Sequence, residues 1–125
     1  MVDTFVLQQF PAKYVVSGHA GEQKKFMETY VKTARVCGGA PVYESPISKR
    51  ILFRIAGGKK PHRKGLWGLG KDPSAVQRDG VYVLARSPSA YPEDAQYDVW
   101  VGGKFVPEQS LVIASKQVCS IMVLL

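Results

Sequence analysis

Arg50-Ile51-Leu52-Phe53-Arg54-Ile55 alternates its side chains with period two, placing Ile51, Phe53 and Ile55 on one face and both arginines on the other. That is the pattern of a half-buried strand, not of a helix. Working outward, Val81-Tyr82-Val83-Leu84-Ala85 is a short, fully apolar run suited to a central strand. Thr29 to Val36 is rich in β-branched residues, and Tyr97-Asp98-Val99-Trp100-Val101 alternates again. Gly38-Gly39, Gly57-Gly58, Asp79-Gly80 and Gly102-Gly103 punctuate these runs, and the last pair predicts a two-residue hairpin turn. Pro11, Pro46, Pro61, Pro73, Pro88, Pro92 and Pro107 fall between runs, where no ladder donor is needed. Helical signal is confined to one or two turns within Gly18 to Met27 and one turn at Pro107-Glu108-Gln109-Ser110. These features predict an all-β fold of about seven or eight short strands and at most one short helix. The architecture is a small antiparallel sandwich or barrel with Ile51, Phe53, Ile55, Val83 and Trp67 inside.

The chain has 125 residues, enough for one domain that needs no disulfide or metal to hold it. Residues 1–117 read as a single β domain and 118–125 as an apolar C-terminal strand or docking tail. Cys37 and Cys119 are far apart and read as two buried, reduced thiols, with a single bridge between them as the alternative. The N-terminus shows no basic n-region and no long apolar run, so the expected location is intracellular. The apolar run at the C-terminus is too short for a spanning helix, which needs about 20 residues.

The net charge of +7 is concentrated in one segment. Between Glu44 and Asp72 there are eight basic residues and no acidic one, while the other nine basic residues are nearly balanced by ten acidic ones. Within that window, Gly57-Gly58-Lys59-Lys60-Pro61-His62-Arg63-Lys64-Gly65 reads as a flexible projecting loop. Lys59, Lys60, His62, Arg63 and Lys64 are its candidate anion-binding residues. Such a field attracts RNA, anionic lipid heads or acidic protein surfaces. Trp67 and Phe53 are near in sequence, but their strand context places them in the core, so no aromatic ladder for base stacking is read.

Other motifs point away from chemistry. Gly65-Leu66-Trp67-Gly68-Leu69-Gly70-Lys71-Asp72 matches a phosphate-binding loop up to its last position, where Asp72 replaces the hydroxyl that ligates magnesium. The alternative reading is a strand with small residues on one face and Trp67 in the core. His19 and His62 have no Cys, His or carboxylate at ligand spacing, so no metal site is expected. Gly-x-Ser-x-Gly is absent, and the neighbouring Glu93 and Asp94 do not converge as a catalytic pair. No catalytic residue and no cofactor is expected. The second candidate surface is the tail from Gln117, where Ile121, Met122, Leu124 and Leu125 would pack on the domain's own sheet or dock on a partner protein.

The order of several short motifs resembles a β-rich module of algae, oomycetes and other protists, often repeated in tandem. Tyr14-Val15-Val16-Ser17-Gly18 matches its opening, and Phe26-Met27-Glu28-Thr29-Tyr30 stands in its second strand without the usual Asn-Gly. Gly39-Ala40-Pro41-Val42-Tyr43, the run from Ile51 to Arg54, Trp67-Gly68-Leu69-Gly70, Tyr82, the turn from Ser87 to Pro92, Trp100 and Pro107 follow in order. The likeness spans residues 14–113. That family carries no established catalytic residues, so the resemblance implies an interaction module and contributes no site. The expected function is a non-enzymatic protein-interaction module, such as an accessory subunit of a larger intracellular assembly. The alternative is an anion-binding domain for RNA or phospholipid, acting through loop 57–65.

Overall fold

The alternating runs become strands of one antiparallel sheet. The computed structural model describes residues 10–115. Its strands are β1 (Lys13–Ser17), β2 (Thr29–Cys37), β3 (Ala40–Glu44), β4 (Ile51–Arg54), β5 (Trp67–Gly70), β6 (Val83–Ala85), β7 (Tyr97–Val101), β8 (Lys104–Pro107) and β9 (Val112–Ser115). From β1 to β8 each strand pairs with the next, and β9 returns to pair with β1, so among the described residues β8 and β9 form the two edges. The sheet is a curled half-barrel. The fold is all-β, with one strand more than the highest count the periodicity suggests. The predicted hairpin is present: Gly102 and Gly103 both have positive φ (60° and 88°), and Val101 pairs with Lys104 across them. Two consecutive positive φ values are what a type I′ turn requires, and glycine adopts them without strain.

Helical structure agrees with the prediction only in part. The one α-helix among the described residues, α1 (Ala75–Arg78), follows a turn in which Asp72 Oδ1 accepts from the Ser74 backbone N–H (3.0 Å) and hydroxyl (2.5 Å). The Gly18–Met27 stretch yields only a 3₁₀ turn at Lys24–Phe26. Pro107 is the last residue of edge strand β8 rather than the start of a helical turn. An edge strand tolerates a missing N–H donor.

The sheet is buried on both faces, which corrects the reading of β4. Leu52, expected beside the arginines on the polar face, is as fully buried as Ile51 and Phe53. One cluster joins Tyr14 and Val16 of β1, Tyr30, Tyr43, Leu52, Trp67, Leu69, Val83, Tyr97, Val99 and Ile113 of β9. A single cluster reaching from the β9 edge to β7 lies inside the curl. Val42, Ile51 and Phe53 project to the opposite, convex face, where Ile55, Ala75 and Val81 cover them. The five expected core residues are therefore all buried, but Trp67 and Val83 lie in one cluster and Ile51, Phe53 and Ile55 in the other.

The inner cluster is rich in tyrosine, and each hydroxyl needs a partner once it leaves water. Tyr30 donates to the Phe26 carbonyl (2.9 Å), Tyr43 to the Pro11 carbonyl (2.5 Å), Tyr97 to the Pro92 carbonyl (2.6 Å) and Tyr14 to Glu93 Oε1 (2.7 Å). Burial pushes all four phenols above their ordinary pKa, so they remain neutral donors. The Tyr97 and Tyr14 bonds hold a 3₁₀ turn at Pro92–Asp94 against the curl. Trp67 Nε1 and Arg54 Nε both donate to the Ser89 carbonyl, at 3.2 and 3.0 Å, and secure the same loop.

The convex face is covered differently. Gly68 and Gly70 of β5 point outward. A Cβ at Gly68 would lie 2.5 Å from Val81 Cγ1, and one at Gly70 would lie 2.6 Å from Ala75 Cβ. The two glycines let the segment carrying α1 lie flat on the sheet. The motif that mimics a phosphate loop is therefore strand β5, with Trp67 and Leu69 in the inner core and small residues under α1.

A basic and aromatic groove as candidate functional site

The cover on the convex face extends over β3 to β5, and a groove opens beyond it. The turn Gly102-Gly103 sets the register that pairs Trp100 with Phe105. Cross-strand partners share a face of the sheet. Their rings meet edge to face, with centroids 5.0 Å apart. The Trp100 backbone N–H donates to the Tyr82 carbonyl (2.8 Å), which brings Tyr82 alongside. These three half-buried aromatics line a groove of about 340 Å³ together with Lys60, Arg63, Arg78, Gly80 and Val81. Three cationic side chains and three aromatic rings thus share one lining. A fourth cation, Lys25, holds its Nζ 5.9 Å from the Tyr82 ring centroid.

Loop 57–65 is anchored at the groove's edge rather than flexible and projecting, and Asp79 is the reason. Asp79 caps α1 in the left-handed conformation (φ 53°) and is buried. Its Oδ2 accepts from the backbone N–H groups of Lys59 and Lys60, each at 2.8 Å. A buried carboxylate needs such donors. Pro61 then opens a 3₁₀ turn at Pro61–Arg63, for which its fixed φ is suited.

The five loop residues proposed from sequence separate in this setting. Arg63 is part of the anchor. Its Nη1 donates to the Asp79 carbonyl (3.0 Å), and its guanidinium carbon sits 5.4 Å from the Phe105 ring centroid, within cation–π range. Burial lowers its pKa and the Asp79 charge opposes this, but a guanidinium stays charged. Arg63 Nε is buried without a hydrogen-bond partner among the described residues. Lys60 lines the groove, while Lys59, His62 and Lys64 are exposed beside it in the chain.

The rest of the basic window divides in the same way. Arg50 pairs with Glu28 at 3.1 Å, Lys49 lies 3.8 Å from Glu44, and Arg54 spends its donors on the carbonyls of Ser89 and Gly38. Lys59, Lys60, Lys64 and Lys71 have no ion pair among the described residues. Sequence reasoning missed Arg78, Tyr82, Trp100 and Phe105. The signal for two of them was present, since a two-residue turn at Gly102-Gly103 dictates that Trp100 and Phe105 are partners. Arg78 reaches the groove only through the fold of α1. It is exposed, bonds to Ser74 Oγ, and lies 3.8 Å from Asp72 Oδ1.

Elsewhere the titratable groups serve the fold. His19 is buried, with Nδ1 2.6 Å from Glu108 Oε1 and Nε2 accepting from the Gln23 N–H at 3.1 Å. This carboxylate partner, 89 residues away, is invisible in local spacing. The His19 bond and the Ser110 hydroxyl hold the Glu108 carboxyl below the usual carboxylate range. Cys37 is buried, and burial raises its thiol pKa. Among the described residues no three His, Cys, Asp or Glu side chains converge as metal ligands. No described helix is long and apolar enough to cross a membrane. The proposed tail contacts Ile121, Met122, Leu124 and Leu125, like Cys119, lie outside the described residues. Compared with known proteins, the chain matches no family model, no curated protein and no solved structure.

Proposed function

We propose that this chain is a non-enzymatic binding module that takes a polyanionic, phosphate-bearing partner at the groove between loop 57–65 and the β7–β8 hairpin. One observation carries the reading: Lys60, Arg63 and Arg78 line a single opening together with Tyr82, Trp100 and Phe105. Lysines without ion pairs among the described residues flank it, so the local field favours anions. The loop is pre-organised by Asp79, so little ordering cost falls on binding. The resemblance to a protist module without established catalytic residues points to the same class.

Inorganic polyphosphate is the simplest probe. Affinity should fall steeply as salt rises, because phosphate contacts release counterions. Changing Lys59, Lys60, Lys64 and Arg78 together to Ser should abolish most of that affinity with little change in melting temperature. Arg63 is left in place because it is an anchor. Undiminished affinity in the quadruple variant, or affinity insensitive to salt, would contradict the proposal.

A further inference from the structure

Resting on that reading of the groove, we infer that its partner is single-stranded nucleic acid, with a base stacked on Trp100 and its phosphates held by Lys60 and Arg78. The argument starts from what the groove contains beyond charge. A site for bare phosphate needs cations and backbone donors, whereas this one also has three aromatic rings in its lining. Phe105 is already engaged, with Arg63 over its ring and Trp100 against it. Tyr82 stacks on Phe26, at 5.9 Å between centroids. Trp100, half-buried like the other two, has among the described residues only its edge-to-face contact with Phe105 and no cation over its ring, and it is the ring on which a new planar group can stack.

Base stacking on such a ring tolerates every sequence, because all bases have a π-face. The volume, about 340 Å³, is at the small end for ligand sites and suits one or two unpaired bases rather than a duplex. A lipid surface fits less well. The aromatics are half-buried in the lining of a groove, so they are poorly placed to enter an acyl layer.

The test compares four probes against the full chain: oligothymidylate or oligouridylate, a duplex of equal length, polyphosphate of matched charge, and phosphatidylcholine vesicles containing phosphatidylserine. The single strand should bind at least tenfold more tightly than duplex or polyphosphate. It should also quench tryptophan fluorescence, with Trp100 as the responding residue because Trp67 is wholly buried. Trp100→Ala should reduce the preference for the single strand over polyphosphate to within twofold. If that variant misfolds, quenching in the unaltered protein and in Trp67→Phe decides the matter. Equal affinity for polyphosphate and single strand, without quenching, would overturn this inference and leave the anion site standing. Stronger vesicle than oligonucleotide binding would overturn it in favour of lipid. Failure of all four probes would overturn both this inference and the proposed function.

Discussion

The two faces of the sheet are buried by different means. Inside the curl, large side chains from eight strands meet one another, and every buried tyrosine hydroxyl finds a carbonyl or carboxylate. On the convex face the sheet supplies fewer large residues, and a chain segment carrying Ala75 and Val81 lies over the flat surface of Gly68 and Gly70. The inner face closes on itself, whereas the outer face is closed only as far as its cover reaches. Where that cover stops, Trp100 and Phe105 are left half-buried, with Tyr82 alongside, next to Lys60, Arg63 and Arg78. Incomplete closure of one face is thus the physical origin of the groove.

The largest expected effect compares the two tryptophans. Trp67→Ala removes a wholly buried ring and its bond to Ser89, and should cost about 3–5 kcal/mol in denaturant unfolding. Trp100→Ala removes a half-buried ring and should cost about 1–2 kcal/mol. Equal losses at the two positions would break the distinction between the faces.

Next come the glycines under the cover. Gly68→Ala or Gly70→Ala should cost about 1–3 kcal/mol by overpacking. Amide exchange should rise over residues 71–81, with little change at the inner-face strands β1 and β2. Faster exchange spread evenly over the sheet would show that the two sides are not separable.

Glu28 sharpens the comparison for charge. Its burial opposes ionisation, but hydrogen bonds from Ser48 and Ser45 and the bond and charge of Arg50 outweigh this and lower its pKa. A lowered folded pKa contributes stability that is present above the ordinary carboxylate pKa, about 4.3, and lost as pH falls through the folded value. Melting temperature should therefore drop as pH falls below about 4.3. Glu28→Gln should cost about 1–2 kcal/mol at neutral pH and flatten part of that acid limb. An unchanged acid limb in the variant would remove Glu28 from the structural charges. The smallest effect is expected at the groove, where Lys60→Ser and Arg78→Ser should each change stability by no more than about 0.5 kcal/mol.

The hydrophobic period of two made the strands legible, because each strand has two faces whatever it pairs with. Period two could not show that both faces of β4 are covered. That depends on Ala75 and Val81, more than 20 residues further along the chain. The hairpin at Gly102-Gly103 was readable because its turn needs glycine. The consequence for Trp100 and Phe105 follows from counting back from the turn, and the aromatic half of the site was within reach of the sequence. The basic loop was readable as charge but not as structure. Its anchor is the single carboxylate of Asp79, in a segment that looks like punctuation. Arg63 therefore looked like a free cation, though it is held by the Asp79 carbonyl and Phe105.

The central claim, that binding occurs where the convex cover stops, is tested most directly by backbone amide and indole chemical shifts during titration with oligothymidylate. The account predicts shifts at the Trp100 indole and at residues 58–64, 78–82 and 100–105, with the buried Trp67 indole unmoved. Shifts centred on the loop at residues 88–95 that closes the inner face, or a saturated complex with no shift near Trp100, would contradict it.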